Sequence, residues 1–119
     1  MIITGEHDLI VTIVNKGRSE RIVKASKAAG AEGGTILFAR GTGVRETKTL
    51  FGIPVEPEKE MVLTIVSEKI TTQVLSALVE AGELMKPGAG IAFVLPIKAV
   101  AGICHLIEGA SPTDKLVCK

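Results

Sequence analysis

Four short apolar runs rich in β-branched residues, at residues 8–14, 34–40, 61–66 and 91–97, restrict what this chain can fold into. Each has the length of a strand and too few residues for a helix that packs across a domain. Between the first two runs, Ile22, Ala25, Ser26 and Ala29 recur at helical spacing, with Ser19 placed to cap the start and Gly30 to stop the end. Between the last two, Ile70, Val74, Leu75, Leu78 and Val79 or Ala81 form one apolar stripe behind Ser67, a second candidate cap. Pro96 ends the fourth run or confines it to a sheet edge, because proline donates no ladder hydrogen bond. Residues 98–102 then read as a short turn, 103–107 as a fifth strand and 108–119 as a loose tail.

The order strand, helix, strand, strand, helix, strand predicts an α+β, ferredoxin-like βαββαβ sandwich with a long loop between strands 2 and 3 and a short C-terminal extension. A length of 119 residues and a hydrophobic content of 46% suit one core, so residues 1–119 are expected to form a single domain. Its loop spans about residues 41–60, which carry Gly52, Pro54 and Pro57 and no clear period, and its tail about 104–119. Loops this long in a compact domain are commonly functional. Leu50, Phe51, Ile53 and Val55 are apolar side chains that such a loop must cover, which suits docking to a partner. Around them, Arg45, Glu46, Lys48, Glu56, Glu58, Lys59 and Glu60 read as solvated loop charges.

Two glycine-punctuated turns sit at strand ends: Gly41-Thr42-Gly43-Val44-Arg45 and Lys86-Pro87-Gly88-Ala89-Gly90. Without a Cβ, successive backbone N–H groups can converge into an anion-holding concavity, so both turns are candidate phosphate cradles; an ordinary surface loop uses the same residues. Charge does not point to a polyanion: 14 basic residues stand against 13 acidic, and aromatics make up 3%. Neither a nucleic-acid field nor a base-stacking platform is expected, and no apolar run is long enough for membrane insertion. The opening residues lack the pattern of a secretory signal, which suits a cytoplasmic protein.

Cys104, His105 and Cys118 lack metal-ligand spacing, so no metal site is expected, although a reversible Cys104 to Cys118 disulfide would suit a tail. His7 has no obvious partner and reads as a surface residue. No nucleophile, base and orienting group stand at a recognisable spacing, which argues against an enzyme.

The stretch from Ile13-Val14-Asn15-Lys16 through Gly30-Ala31-Glu32-Gly33-Gly34-Thr35 to Gly41-Thr42-Gly43 resembles the opening of PII-type nitrogen-regulatory signal proteins. The loop that follows is similar to their T-loop, and residues 86–94 to their glycine-rich B-loop and last strand. The resemblance, over residues 8–103, implies a homotrimer that binds an adenine nucleotide between subunits and regulates a partner protein, an enzyme or a membrane transporter, through the T-loop, in nitrogen regulation among other settings. It implies a nucleotide site of Thr35, Gly41, Gly43, Val44, Arg45, Lys86, Gly88, Ala89 and Gly90, and a partner surface of Lys48, Leu50, Phe51 and Ile53. Against the family pattern, Ala89, Ile91, Gly102 and Cys104 replace charged residues, and Asn15 stands where the first strand usually ends in lysine. The ligand implied therefore ranges over ATP, ADP, AMP and cyclic AMP, with no obligatory cofactor. The chain has no tyrosine, so nucleotidylylation of a loop tyrosine does not apply. Two alternatives stand beside this reading: a divalent-cation tolerance-type trimer, and a scaffold that only docks proteins.

Overall fold

The computed structural model describes residues 2–42, 48–55 and 57–102. Its elements are β1 (Ile2–Asn15), α1 (Ser19–Ala28), β2 (Thr35–Arg40), β3 (Lys48–Leu50), β4 (Ile53–Val55), β5 (Glu58–Ser67), α2 (Thr71–Ala81) and β6 (Gly90–Ala101). The main sheet runs β2-β5-β1-β6, antiparallel throughout, with β3 and β4 paired separately. This is the ferredoxin-like sandwich expected from the order of elements.

Both helices cover one face of the sheet. Ile10 and Val14 of β1, Val62 and Val66 of β5, Ile22 of α1, and Val74 and Leu78 of α2 are all at most 1% exposed and form one cluster. Each buried aliphatic side chain of this kind stabilises the fold by roughly 1.5–3 kcal/mol. Register explains the selection. Thr12 lies opposite Val62 on one side and Ala92 on the other, and cross-strand neighbours share a face. The intervening rows, among them Ile13 with Met61 and Ile91, and Leu9 with Ile65 and Leu95, point away from the helices.

Several local expectations need correction. The first strand begins at Ile2 rather than residue 8, since Ile2, Ile3 and Thr4 find partners in Ala101, Val100 and Ala99 beyond a bulge at Gly5 and Glu6, both of positive φ. For the same reason residues 98–101 continue β6 instead of turning. Pro96 does not end that strand; it lies opposite Asp8 on the sheet edge, where a missing donor is tolerated. Ser19 is the first residue of α1, not its cap, and Arg18 in the cap position offers no side-chain bond. Ser67 closes β5, and Ile70 holds the cap position of α2. The long loop contains a two-strand hairpin, turned at Phe51 and Gly52, both of positive φ. Glu58, Lys59 and Glu60, expected as loop charges, open β5. His7 is not a surface residue: it is 5% exposed, paired on both sides with Ser67 and Ile97, and neither ring nitrogen has a hydrogen-bond partner. The expected fifth strand at 103–107, the tail, and with them Cys104, His105 and Cys118, lie outside the described residues.

Candidate functional site

One end of the sheet gathers the strand termini that matter. At this end β1 stops at Asn15, β2 at Arg40, β5 begins at Glu58 and β6 at Gly90. Ladder pairs Asn15 with Lys59, Lys59 with Ala39, Arg40 with Glu58 and Val14 with Gly90. Gly41, which opens the first glycine turn, and the turn at residues 86–90, far apart in sequence, thus flank the same sheet end. Gly41 is tied to the returning strand through its N–H, which donates to the Pro57 carbonyl at 3.2 Å.

The turn at residues 86–90 follows directly from the end of α2. Glu83 has φ 52, Gly88 φ 80 and Gly90 φ 146; the Lys86 N–H donates to the Glu83 carbonyl at 2.9 Å and the Ala89 N–H to the Lys86 carbonyl at 3.2 Å. A Cβ on Gly90 would lie 2.4 Å from the Ile13 carbonyl oxygen, so glycine alone lets the turn enter the sheet here. The Lys86 ammonium bonds the Glu83 carboxylate at 3.0 Å, and Arg18 stands 3.7 Å from the same group. Hydrogen bonding from Lys86, then its charge, holds the Glu83 carboxyl below the ordinary carboxylate range.

Beside the base of the long loop lies a cleft of about 510 Å³ lined by Lys16, Phe38, Ala39, Arg40, Glu58 and Lys59. Three of the six carry positive charge, and Phe38, 81% exposed, supplies an apolar wall. Lys16 pairs with Glu58 at 2.7 Å, which raises the lysine and lowers the carboxyl, in both cases first through their mutual hydrogen bond. Such a wall of cations and one aromatic face suits an anionic, partly flat ligand.

Of the residues expected at a nucleotide site, Gly41, Lys86, Gly88, Ala89 and Gly90 stand at this sheet end. Thr35 does not: it starts β2 at the other end, opposite Leu63, on the face away from the helices. Gly43, Val44 and Arg45 lie outside the described residues. Of the residues expected to meet a partner, Lys48 and Leu50 fall in β3 and Ile53 in β4, while Phe51 is 95% exposed at the hairpin tip. The cleft residues Lys16, Arg40, Glu58 and Lys59 were not singled out by spacing. Their signal was positional, since each flanks a strand end, and strand ends become neighbours only once register is known. Among the described residues, no three His, Cys, Asp or Glu side chains gather as metal ligands, and no helix is long and apolar enough to cross a membrane.

The family model described as Nitrogen regulatory protein P-II matches residues 7–104 of this chain. The chain belongs to the P-II family. It is thereby a PII-family signal protein, in a family of regulators rather than catalysts. No curated protein matches it in sequence. Among solved structures, it is similar to a Bacillus subtilis GlnK–ATP complex with a TM-score of 0.65 at 19% identity, over 85% of this chain and 90% of that one. It is also similar to Arabidopsis thaliana PII bound to citrate, with a TM-score of 0.62 at 21% identity, over 79% of each chain. At those identities the likeness speaks to the fold, and the P-II sandwich, its two helices and its long loop between β2 and β5 all have their counterparts here.

Proposed function

We propose that this chain is a cytoplasmic, single-domain PII-type sensor. It binds an adenine nucleotide near the glycine turn at 86–90 and the base of the long loop, and it regulates a partner, an enzyme or membrane transporter, by changing that loop's conformation. The carrying observation is the meeting of the Gly41 turn, the 86–90 turn and the cationic cleft of Lys16, Arg40 and Lys59 at one sheet end. Backbone N–H groups of the turn would hold phosphate oxygens, and the cleft cations would add charge. Gly43, Val44 and Arg45 would complete the loop side of the site, and Lys48, Leu50, Phe51 and Ile53 would meet the partner. Membership in the P-II family and the ATP held by the GlnK relative support a nucleotide, and the family name supports a nitrogen-linked signal. A homotrimer is supported by the uncovered apolar sheet face, and it would bring Thr35 of one subunit within reach of a site that its own chain does not complete. Such a switch works only when nucleotide affinity differs between loop states.

Isothermal titration with ATP, ADP, AMP and cyclic AMP, each with and without magnesium, tests this reading. The expected result is saturable binding of at least one of them near one ligand per subunit. Absence of binding by all four would refute the sensor and leave the loop as a protein-docking element alone.

A further inference from the structure

Asn15 ends β1 between the two candidate ligand-holding elements, and its amide touches both. The Oδ1 atom accepts from the Lys59 ammonium at 2.6 Å, and Nδ2 donates to the Gly88 carbonyl at 3.2 Å. The orientation is forced by chemistry, because an ammonium can only donate and a carbonyl can only accept. Lys59 lines the cleft at the base of the long loop, and Gly88 is the positive-φ apex of the 86–90 turn. This amide links the two elements directly, and few side chains could replace it. Aspartate accepts only, lysine donates only, and serine is too short to span.

We propose that Asn15 is a positioning residue that couples the long-loop base to the glycine turn within one subunit. Hydrogen bonds in series polarise one another, so the charged donor at Oδ1 strengthens the Nδ2 donation to Gly88. A nucleotide phosphate entering the cleft competes for the Lys59 ammonium, and a charged oxygen outcompetes a neutral amide oxygen. When Lys59 leaves, the hold on Gly88 weakens and the turn repositions its N–H groups. By linkage, whatever fixes the turn alters the position of Lys59, and hence the base of the loop. This regulatory role rests on the nucleotide-sensor reading; the relay itself does not.

The relay is tested on ligand-free, isotope-labelled protein by following the backbone amide resonances of Gly88, Ala89 and Gly90. Lys59→Met is expected to shift all three in the parent and to leave them unmoved in an Asn15→Ala background. Asn15→Asp keeps the acceptor for Lys59 and loses the donor to Gly88, so its turn resonances should match those of Asn15→Ala while the Lys59 signals stay near the parent's. Amides of Ile10 and Val62 report whether each variant keeps its fold, and Asn15→Asp serves alone should Asn15→Ala fail to fold. Equal shifts in both backgrounds, or none in the parent, would overturn the relay. A second arm measures ADP affinity across parent, Asn15→Ala, Lys59→Met and the double variant, where a coupling of about two- to tenfold is expected. Additive effects would overturn the regulatory role. A parent that binds no ADP, ATP, AMP or cyclic AMP would instead sink the sensor reading, with the resonance shifts still deciding the relay.

Discussion

Glu60 shows how one carboxylate can replace a cap that the local sequence promises but does not deliver. It is 7% exposed, and its Oε1 accepts from the Gly17 N–H at 2.6 Å and the Ser19 N–H at 3.2 Å, at the N-terminus of α1. Burial pushes its carboxyl upward, but the hydrogen bonds from Ser19 and Gly17 outweigh that and hold it below the ordinary 4.5. The folded state therefore binds fewer protons than the unfolded chain near that pH, and the stabilisation is present above the ordinary value and lost as pH falls through the lower folded one. Glu60→Gln should flatten the fall in urea midpoint as pH drops through and below the ordinary carboxylate range, leaving the smaller part due to exposed Glu58 and Glu83. Glu60→Ala, which strands two backbone donors, should cost about 1–3 kcal/mol at neutral pH in the same unfolding measurement. None of this was legible in the chain. Glu60 sits in a run of charges that reads as solvent-facing, and Ser19 is a plausible cap until the strand pairing of Val14 with Glu60 sets the carboxylate beside it. His7 misleads likewise, since its burial comes from strands on both sides of it.

In the turn at residues 86–90, Gly88 and Gly90 both have positive φ. Each needs glycine for a different reason, and the difference is measurable. Gly90 combines φ 146 with a Cβ position 2.4 Å from the Ile13 carbonyl, so Gly90→Ala must push β6 off β1 where Val14 pairs with it. A loss of about 2–4 kcal/mol is expected in urea unfolding, in the range of severe backbone clashes. Gly88 has φ 80 but nothing within 4 Å of its Cβ position, so Gly88→Ala should cost only the left-handed strain, about 1–2 kcal/mol. Equal losses at the two positions would contradict the clash. The helices and the four main strands were legible in the sequence, because period and length separate them. Their ends were not: the extension of β1 and β6 depends on each supplying the other's partner, and the β3–β4 hairpin is too short to show alternation.

At the scale of the molecule, the four strand-forming runs carry a message that the helices do not exhaust. A strand with one face in water alternates apolar and polar residues, whereas Leu9-Ile10-Val11-Thr12-Ile13-Val14 is nearly continuous, as in strands covered on both sides. Two helices cover one face only. On the other, Leu37 is 41% exposed, Ile91 55%, Phe93 39% and Leu95 47%, a contiguous apolar surface that a lone soluble chain rarely leaves open. Among the described residues nothing covers this face, and copies of the same chain would provide a second layer with no new sequence. The parent is expected to sediment as a trimer at micromolar concentration. Leu95→Glu should yield monomers, because burying an unpaired carboxylate against the partner's apolar face costs more than the lost contact alone. Leu95 lies away from the core cluster, so the circular dichroism of the variant should stay that of the parent. A monomeric parent, or a Leu95→Glu trimer of unchanged stability, would show that the open face is not covered by further copies of the chain.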